Sequence, residues 1–190
     1  MDETLRAFIA LDLPEGTKDT LACFVEQQKP RYLEGKWVRK EHFHVTLAFF
    51  PALPLHRVRD IQSILEELGA TFPPYCAFLR EVGTFPSWQR ARVLWIGFDE
   101  EGREKTKVIA EAIFQKLKAI GIACEEDREF VPHVTLARFK TPKKLERASF
   151  LSWSPIPVPI GEIALFESIL KPSGPEYRKL VYVPLKGVRT

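Results

Sequence analysis

Cysteine is scarce in this chain: Cys23, Cys76 and Cys124 lie far apart, with no C-x-x-C spacing. An odd count without close pairs excludes a disulfide scaffold and a cysteine-rich zinc module, and such usage suits a reducing cytoplasm. Cys23 and Cys76 read as small buried residues rather than nucleophiles. Long apolar runs are missing as well, so no segment reads as membrane-spanning. The opening Met1-Asp2-Glu3-Thr4 carries acids where an export leader carries basic residues, with no apolar stretch behind it, which predicts a chain that stays in the cytoplasm. Ten Gly and 15 Pro in 190 residues are too few for a collagen-like or low-complexity chain. Neither sign of charge dominates, with 28 Lys+Arg against 25 Asp+Glu. A net charge of +3 suits a phosphate-bearing substrate but falls short of a dedicated duplex binder.

What is present is enough apolar residue, 45% of the chain, for one compact core. Three stretches carry the helical period: Leu21, Phe24, Val25 and Gln28 after Pro14; Val58, Ile61, Ile64, Leu65 and Leu68, ending near Gly69; and Ile109, Ala112, Ile113, Leu117 and Ile120, stopped by Gly121. Eight β-branched and aromatic segments read as strands: 5–13, 35–39, 42–50, 75–83, 92–98, 133–139, 157–170 and 180–185. Their order is not a regular βαβ alternation, which predicts an α+β fold with antiparallel or mixed sheets and helices on the outer faces. No linker divides the chain, so residues 1–190 read as a single domain. The proline-rich stretch Ser152 to Pro159 reads as an internal loop.

One internal repeat outweighs these features. His44-Val45-Thr46-Leu47-Ala48 recurs letter for letter as His133-Val134-Thr135-Leu136-Ala137, with aromatics following at Phe50 and Phe139. With only four His in the chain, a shuffled sequence would place Thr two positions after two of them in roughly 2% of cases, before Val, Leu and Ala are counted. Duplication of a half-domain is the economical explanation. Strand side chains alternate, so each copy presents one imidazole and one hydroxyl on the same face. Two copies about a pseudo-two-fold axis would surround one point with two imidazoles and two hydroxyls. Near neutral pH one imidazole can take a proton while the other gives one. The hydroxyls can donate hydrogen bonds to an anion between them. In-line displacement at phosphorus needs a base, an acid and anion donors, and no metal.

The plainer readings are weaker. A lone His on a strand is usually a satisfied core or surface residue, but duplication of the pair argues for a shared site. Zinc would need further His, Cys or carboxylate ligands; His42 and His56 lack the spacing, and Thr is a poor ligand. No Ser-His-Asp or Cys-His motif supports a nucleophilic triad.

The paired His-x-Thr-x copies resemble the signature of the two-histidine phosphoesterase superfamily. The nearest likeness is its bacterial and archaeal branch, the RNA 2′,3′-cyclic phosphodiesterases once called 2′-5′ RNA ligases. Arg6 to Pro14, Phe85-Pro86, Arg92 to Gly97, Pro132, Leu165 to Ser168, Gly174, Tyr177 and Leu185 carry the likeness along almost the whole chain. The resemblance implies a bilobal fold of two pseudo-symmetric lobes whose sheets line a central cleft. It also implies metal-independent, cofactor-free hydrolysis of RNA or nucleotide 2′,3′-cyclic phosphates to 2′-phosphates. On that likeness His44 and His133 are the catalytic pair, with His44 serving the leaving oxygen and His133 the water. Thr46 and Thr135 bind the phosphate, Arg138 contacts it, and Phe49 stacks on a base. Strict alternation disagrees in part: five places after each His, Phe49 and Arg138 fall on the opposite face unless the strand ends or bulges. They would then be a core Phe and a solvated strand-end Arg.

Basic and aromatic residues interleave at Lys36-Trp37-Val38-Arg39-Lys40 and from Phe85 to Arg92, a mixture suited to single-stranded RNA. Arg138, Lys140, Lys143, Lys144 and Arg147 extend that path, or simply form a solvated face. The partners expected are RNA with 2′,3′-cyclic phosphate ends or cyclic nucleotides, acted on by a monomer. Two alternatives stand beside hydrolysis: ATP-independent 2′-5′ joining of RNA in the same site, and a binding module that has lost catalysis. No P-loop or nucleotidylation motif favours an ATP-driven ligase, and retention of both His and both Thr argues against the binding module.

Overall fold

The computed structural model describes residues 3–125, 130–150 and 154–188. Three helices form where the apolar period predicts them, α1 (Glu15–Gln28), α2 (Val58–Thr71) and α3 (Glu100–Ala119). The α3 start is fixed by Asp99, whose side chain accepts a hydrogen bond from the Gly102 N–H at 3.2 Å, satisfying one of the orphan donors of the first turn. The described residues form nine strands: β1 (Thr4–Asp12), β2 (Lys36–Trp37), β3 (His44–Pro54), β4 (Tyr75–Phe85), β5 (Ala91–Phe98), β6 (His133–Lys143), β7 (Ile156–Ile160), β8 (Glu162–Lys171) and β9 (Gly174–Pro184). The fold is α+β, and every strand pairing among the described residues is antiparallel, so the mixed-sheet alternative falls away.

The strands form one continuous sheet in the order β7-β4-β5-β6-β3-β1-β8-β9, with β2 added beside β6. Its midline is β6-β3, which share one registered pair, Val45 with Val134. On each side lies a four-stranded lobe, and the lobes exchange strands between the two halves of the chain. β4 from the first half pairs with β5, which spans the midpoint of the chain and leads into β6, while β8 from the second half pairs with β1 of the first. Ala7, Ile9 and Leu11 of β1 point to one face and join the main core with Leu21, Leu65 and Ile113 of the three helices. Phe8 and Ala10 point to the other face and pack with Ala164 and Phe166. Helices therefore cover one face of the sheet and leave the other free to form the cleft.

Four expectations need correction. The segment expected as one strand over 157–170 is two, β7 and β8, divided at Gly161. Of the proline-rich stretch, Ser152 and Trp153 lie outside the described residues, and from Ile156 onward it is strand rather than loop. β7 is an edge strand, and Pro157 and Pro159, two places apart, turn the same edge outward, where no ladder N–H is required. β9 begins at Gly174 rather than near 180; it is the opposite edge, which likewise tolerates Pro175 and Pro184. Cys23 and Cys76 are exposed, not buried. Cys23 falls between the inward positions Leu21 and Phe24 of α1, and Cys76 alternates with the buried Tyr75 and Ala77 of β4. Among the described residues no helix is long and apolar enough to cross a membrane.

Candidate active site

The two repeated pentapeptides open the midline strands β3 and β6, and their alternation is buried Val and Leu against half-buried His and Thr. His44, Thr46, His133 and Thr135 accordingly line one cavity of about 770 Å³ on the free face of the sheet. Phe49 and Arg138 line it as well, and the reason is a bulge in each copy. Along β1, Ile9 pairs with Ala48 but Ala10 pairs with Thr46, so Leu47 is skipped. Along β5, Leu94 pairs with Ala137 but Trp95 pairs with Thr135, so Leu136 is skipped. Leu47 and Ala48 are both buried, as are Leu136 and Ala137. The extra residue shifts the strand phase by one, returning the fifth position to the cleft. Strict alternation places Phe49 and Arg138 outside the site; the shared bulge puts them in it.

Each imidazole is held by its own chain. His44 Nδ1 lies 2.6 Å from the His42 carbonyl oxygen, and His133 Nδ1 lies 2.7 Å from that of Val131. A carbonyl can only accept, so Nδ1 carries the proton in both rings and Nε2 is the atom that exchanges one. His44 Nε2 is 3.1 Å from Thr46 Oγ1, whose hydroxyl donates to it while the ring is neutral. This clamp two residues upstream is a feature that sequence reasoning missed; its only trace is the extended chain before each motif.

Aromatic rings box both histidines. Phe8 stacks on His44 with centroids 4.6 Å apart and planes at 26°, and Tyr177 meets His44 edge-on at 5.4 Å. On the other side Phe85 meets His133 edge-on at 5.2 Å, and Trp95 lies 5.8 Å from it. Trp95 needs Gly83 beneath it: a Cβ there would fall 2.2 Å from Trp95 Cζ2. Phe8, Tyr177 and Trp95 were visible only as members of the family likeness, because an aromatic in a strand is ordinarily core. Burial pushes the His44 pKa down to about 4, against the hydrogen bond to the His42 carbonyl and the charge of Asp12, which favour protonation. Asp12 is the register partner of His44. Burial favours its neutral form, but Lys18 at 2.8 Å and Lys179 at 2.9 Å outweigh it and keep the carboxylate ionised.

The wider RNA path is brought together in part. Lys36, Trp37, Val38 and Arg39 line the cavity, but Lys40 is bound to Glu15 and Asp19. Of the segment 85–92, Phe85 reaches the cavity, whereas Trp88 packs on Phe150 and Arg92 donates to the Lys140 carbonyl at 3.1 Å. Lys143 pairs with Glu34. Arg6, unassigned from sequence, lies over the Phe49 ring with its guanidinium carbon 4.3 Å from the centroid. Among the described residues no cluster of three or more His, Cys, Asp or Glu is arranged to hold a metal ion.

A duplicated antiparallel sheet presenting two His-x-Thr pairs to one cleft defines a two-histidine phosphoesterase architecture. The chain belongs to the LigT like Phosphoesterase family, whose model matches it twice in succession, over residues 11–95 and 96–177. It is 33% identical over 190 residues to the RNA 2′,3′-cyclic phosphodiesterase of Thermus thermophilus, covering 96% of this chain and 91% of that one. It is 32% identical over 178 residues to the protein of the same name from Methanocaldococcus jannaschii, covering 91% and 96%. Among solved structures, the Thermus thermophilus protein TT0787 superposes with a TM-score of 0.82 at 28% identity, over 97% of this chain and 100% of that one. Escherichia coli LigT complexed with 3′-AMP shares the fold, with a TM-score of 0.75 at 21% identity over 96% and 99%.

Proposed function

We propose that this chain hydrolyses 2′,3′-cyclic phosphate ends of RNA to 2′-phosphates, using residues 1–190 as one unit of two lobes. The observation that carries the reading is the convergence of both His-x-Thr pairs on one cavity in a member of a phosphoesterase family. The names of the relatives support the substrate class. The ring phosphorus sits between the two Nε2 atoms. Water attacks phosphorus opposite the 3′-oxygen and passes a proton to His133. The P–O3′ bond breaks, and the 3′-oxygen takes a proton from His44, leaving a 3′-hydroxyl and a 2′-phosphate. Thr46 and Thr135 donate to the non-bridging oxygens, where charge is stabilised without reorganisation, and Arg138 adds a fixed positive charge. The protein acts as a monomer in the cytoplasm.

Product analysis tests this directly. RNA ending in a 2′,3′-cyclic phosphate should yield a 2′-phosphate end at the same rate with and without EDTA, because two imidazoles make both proton transfers. A 3′-phosphate product, or activity lost in EDTA and restored by zinc or manganese, would refute it. Joined 2′-5′ products in the presence of 5′-hydroxyl RNA would favour ligation in the same site.

A further inference from the structure

A second cavity, of about 540 Å³, has Trp95 in its wall, the ring whose centroid also lies 5.8 Å from that of His133. It lies where the sheet leaves β4 uncovered. β7 pairs with residues 75–79 alone, and residues 80–84 continue along the cavity with no strand on that flank among the described residues. Two polar groups of its wall are orphans: the Thr84 hydroxyl and the Trp95 indole nitrogen are shut from water with no hydrogen-bond partner. Thr84 as a whole is only 8% exposed. Buried polar groups are nearly always paired, so two orphans in one wall call for a partner from outside the chain. Arg80 and Arg147 line the same cavity, exposed and without an ion pair among the described residues. Among those residues Glu81 is the only acid of the lining, and its carboxylate accepts from Arg103 at 3.0 Å. Trp88, with its centroid 5.8 Å from that of Phe150, adds an aromatic wall. Trp88 and Arg147 belong to the two basic and aromatic stretches, 85–92 and 138–147, that suit single-stranded RNA yet largely miss the active-site cavity. Here they meet.

We propose that this cavity is a second nucleotide site, which holds a phosphodiester and a base of the RNA strand on the 5′ side of the reacting end. Arg80 and Arg147 bind the phosphate and Trp88 flanks the base. The Trp95 N–H and the Thr84 hydroxyl gain partners as the wall adjusts to the ligand. This rests on the phosphodiesterase reading and adds a reach along the strand to it. Two guanidinium groups beside unpaired donors suit a phosphate, and the neighbouring indole supplies the stacking face that a base uses and a bare anion does not. The two cavities adjoin. Thr84 lines this one, and the next residue, Phe85, lines the active-site cavity with its ring edge-on to His133. β4 and β6 flank β5 in the sheet, so their backbones lie about 10 Å apart, close enough for one strand to occupy both cavities. From a 2′,3′-cyclic end the strand can continue on the 5′ side alone, which fixes the part of it that comes here.

Two readouts test it. The first compares kcat/KM for a 2′,3′-cyclic mononucleotide with that for a trinucleotide bearing the same cyclic end. The native enzyme should prefer the trinucleotide, and Arg80→Gln combined with Arg147→Gln should cut that preference about tenfold, the scale of charge-assisted phosphate contacts. Arg80→Lys with Arg147→Lys should restore most of it, and Lys118→Gln, at a surface charge that lines neither cavity, should leave it intact. The salt dependence of trinucleotide affinity should flatten by about 0.7 in log–log slope for each arginine removed. The second readout is the Trp95 indole N–H resonance, assigned by its loss in Trp95→Phe. It should shift on titration with d(TpTpT), which cannot cyclise, and the shift should shrink in the double glutamine variant. A native enzyme that opens both substrates without preference, or equal losses in the double glutamine variant and Lys118→Gln, would overturn the second site alone. An indole shift saturated by inorganic phosphate alone would make the cavity a free-anion site and overturn the strand. Failure of the native enzyme to open either substrate would overturn the phosphodiesterase reading itself.

Discussion

His44 should be neutral in the empty cleft and become an acid only when a phosphodiester arrives. Burial under Phe8 and beside Tyr177 sets its pKa at about 4, so at pH 7 roughly one ring in a thousand is protonated. A single negative charge about 4 Å from the ring, at an effective dielectric of about 20, is worth about 4 kcal/mol. That corresponds to about three pKa units, enough to bring the bound imidazole near neutrality. The sign of the linkage follows. Between the free pKa and the raised bound pKa, binding takes up a proton, so affinity grows as pH falls through that window, by up to about tenfold per unit. A deoxy dinucleotide such as d(TpT) is a suitable probe, because its one phosphodiester stays singly charged and cannot cyclise. NMR titration of the His44 ring with and without the probe gives the two midpoints directly. Calorimetry from pH 8 to pH 5 gives the affinity slope, and His44→Gln separates it from the contributions of His42 and His133. A free midpoint near 6.5, or midpoints that coincide with and without probe, would refute the reasoning.

Three further outcomes follow from the same geometry. Removing either imidazole should lower kcat by about 10²–10⁴-fold, and Thr46→Val or Thr135→Val should cost less because other anion donors remain. A substrate with a sulfur-substituted 3′ leaving group should rescue His44→Ala and not His133→Ala; the reverse pattern in a rate assay would exchange the roles. Gly83→Ala should drive Trp95 off its seat toward His133, lowering kcat at least tenfold with KM little changed; full activity in a stopped assay would show that the indole does not position the ring.

The letters of the repeat were enough to place the four central side chains, because period two on a strand is a strong geometric statement. They were not enough for Phe49 and Arg138. A bulge at Leu47 or Leu136 has no composition of its own, and both residues look like ordinary core positions in either phase. The carbonyl clamps on Nδ1 are invisible for a related reason: they are made by backbone, which every sequence supplies. Proline argues against a strand unless the strand is at an edge, and edge position belongs to the whole sheet order, so β7 and the first residues of β9 are not legible locally. The exposure of Cys23 and Cys76 is legible, since each sits out of phase with its buried neighbours.

The exchange of β4 and β8 between the two halves has a consequence for how the molecule comes to exist. Ala7 finds its partner at Glu167, and the β1–β8 ladder cannot begin until both ends of the chain are available. Neither half can complete its own four-stranded layer, so a nascent N-terminal half holds β1 and β3 with both outer flanks open. Contacts this distant in sequence slow folding, because loop closure must precede any gain from pairing. Severed in the loop between β4 and β5, the two fragments would each present the edge that the other lacks, and they would recover a working cleft only by finding each other.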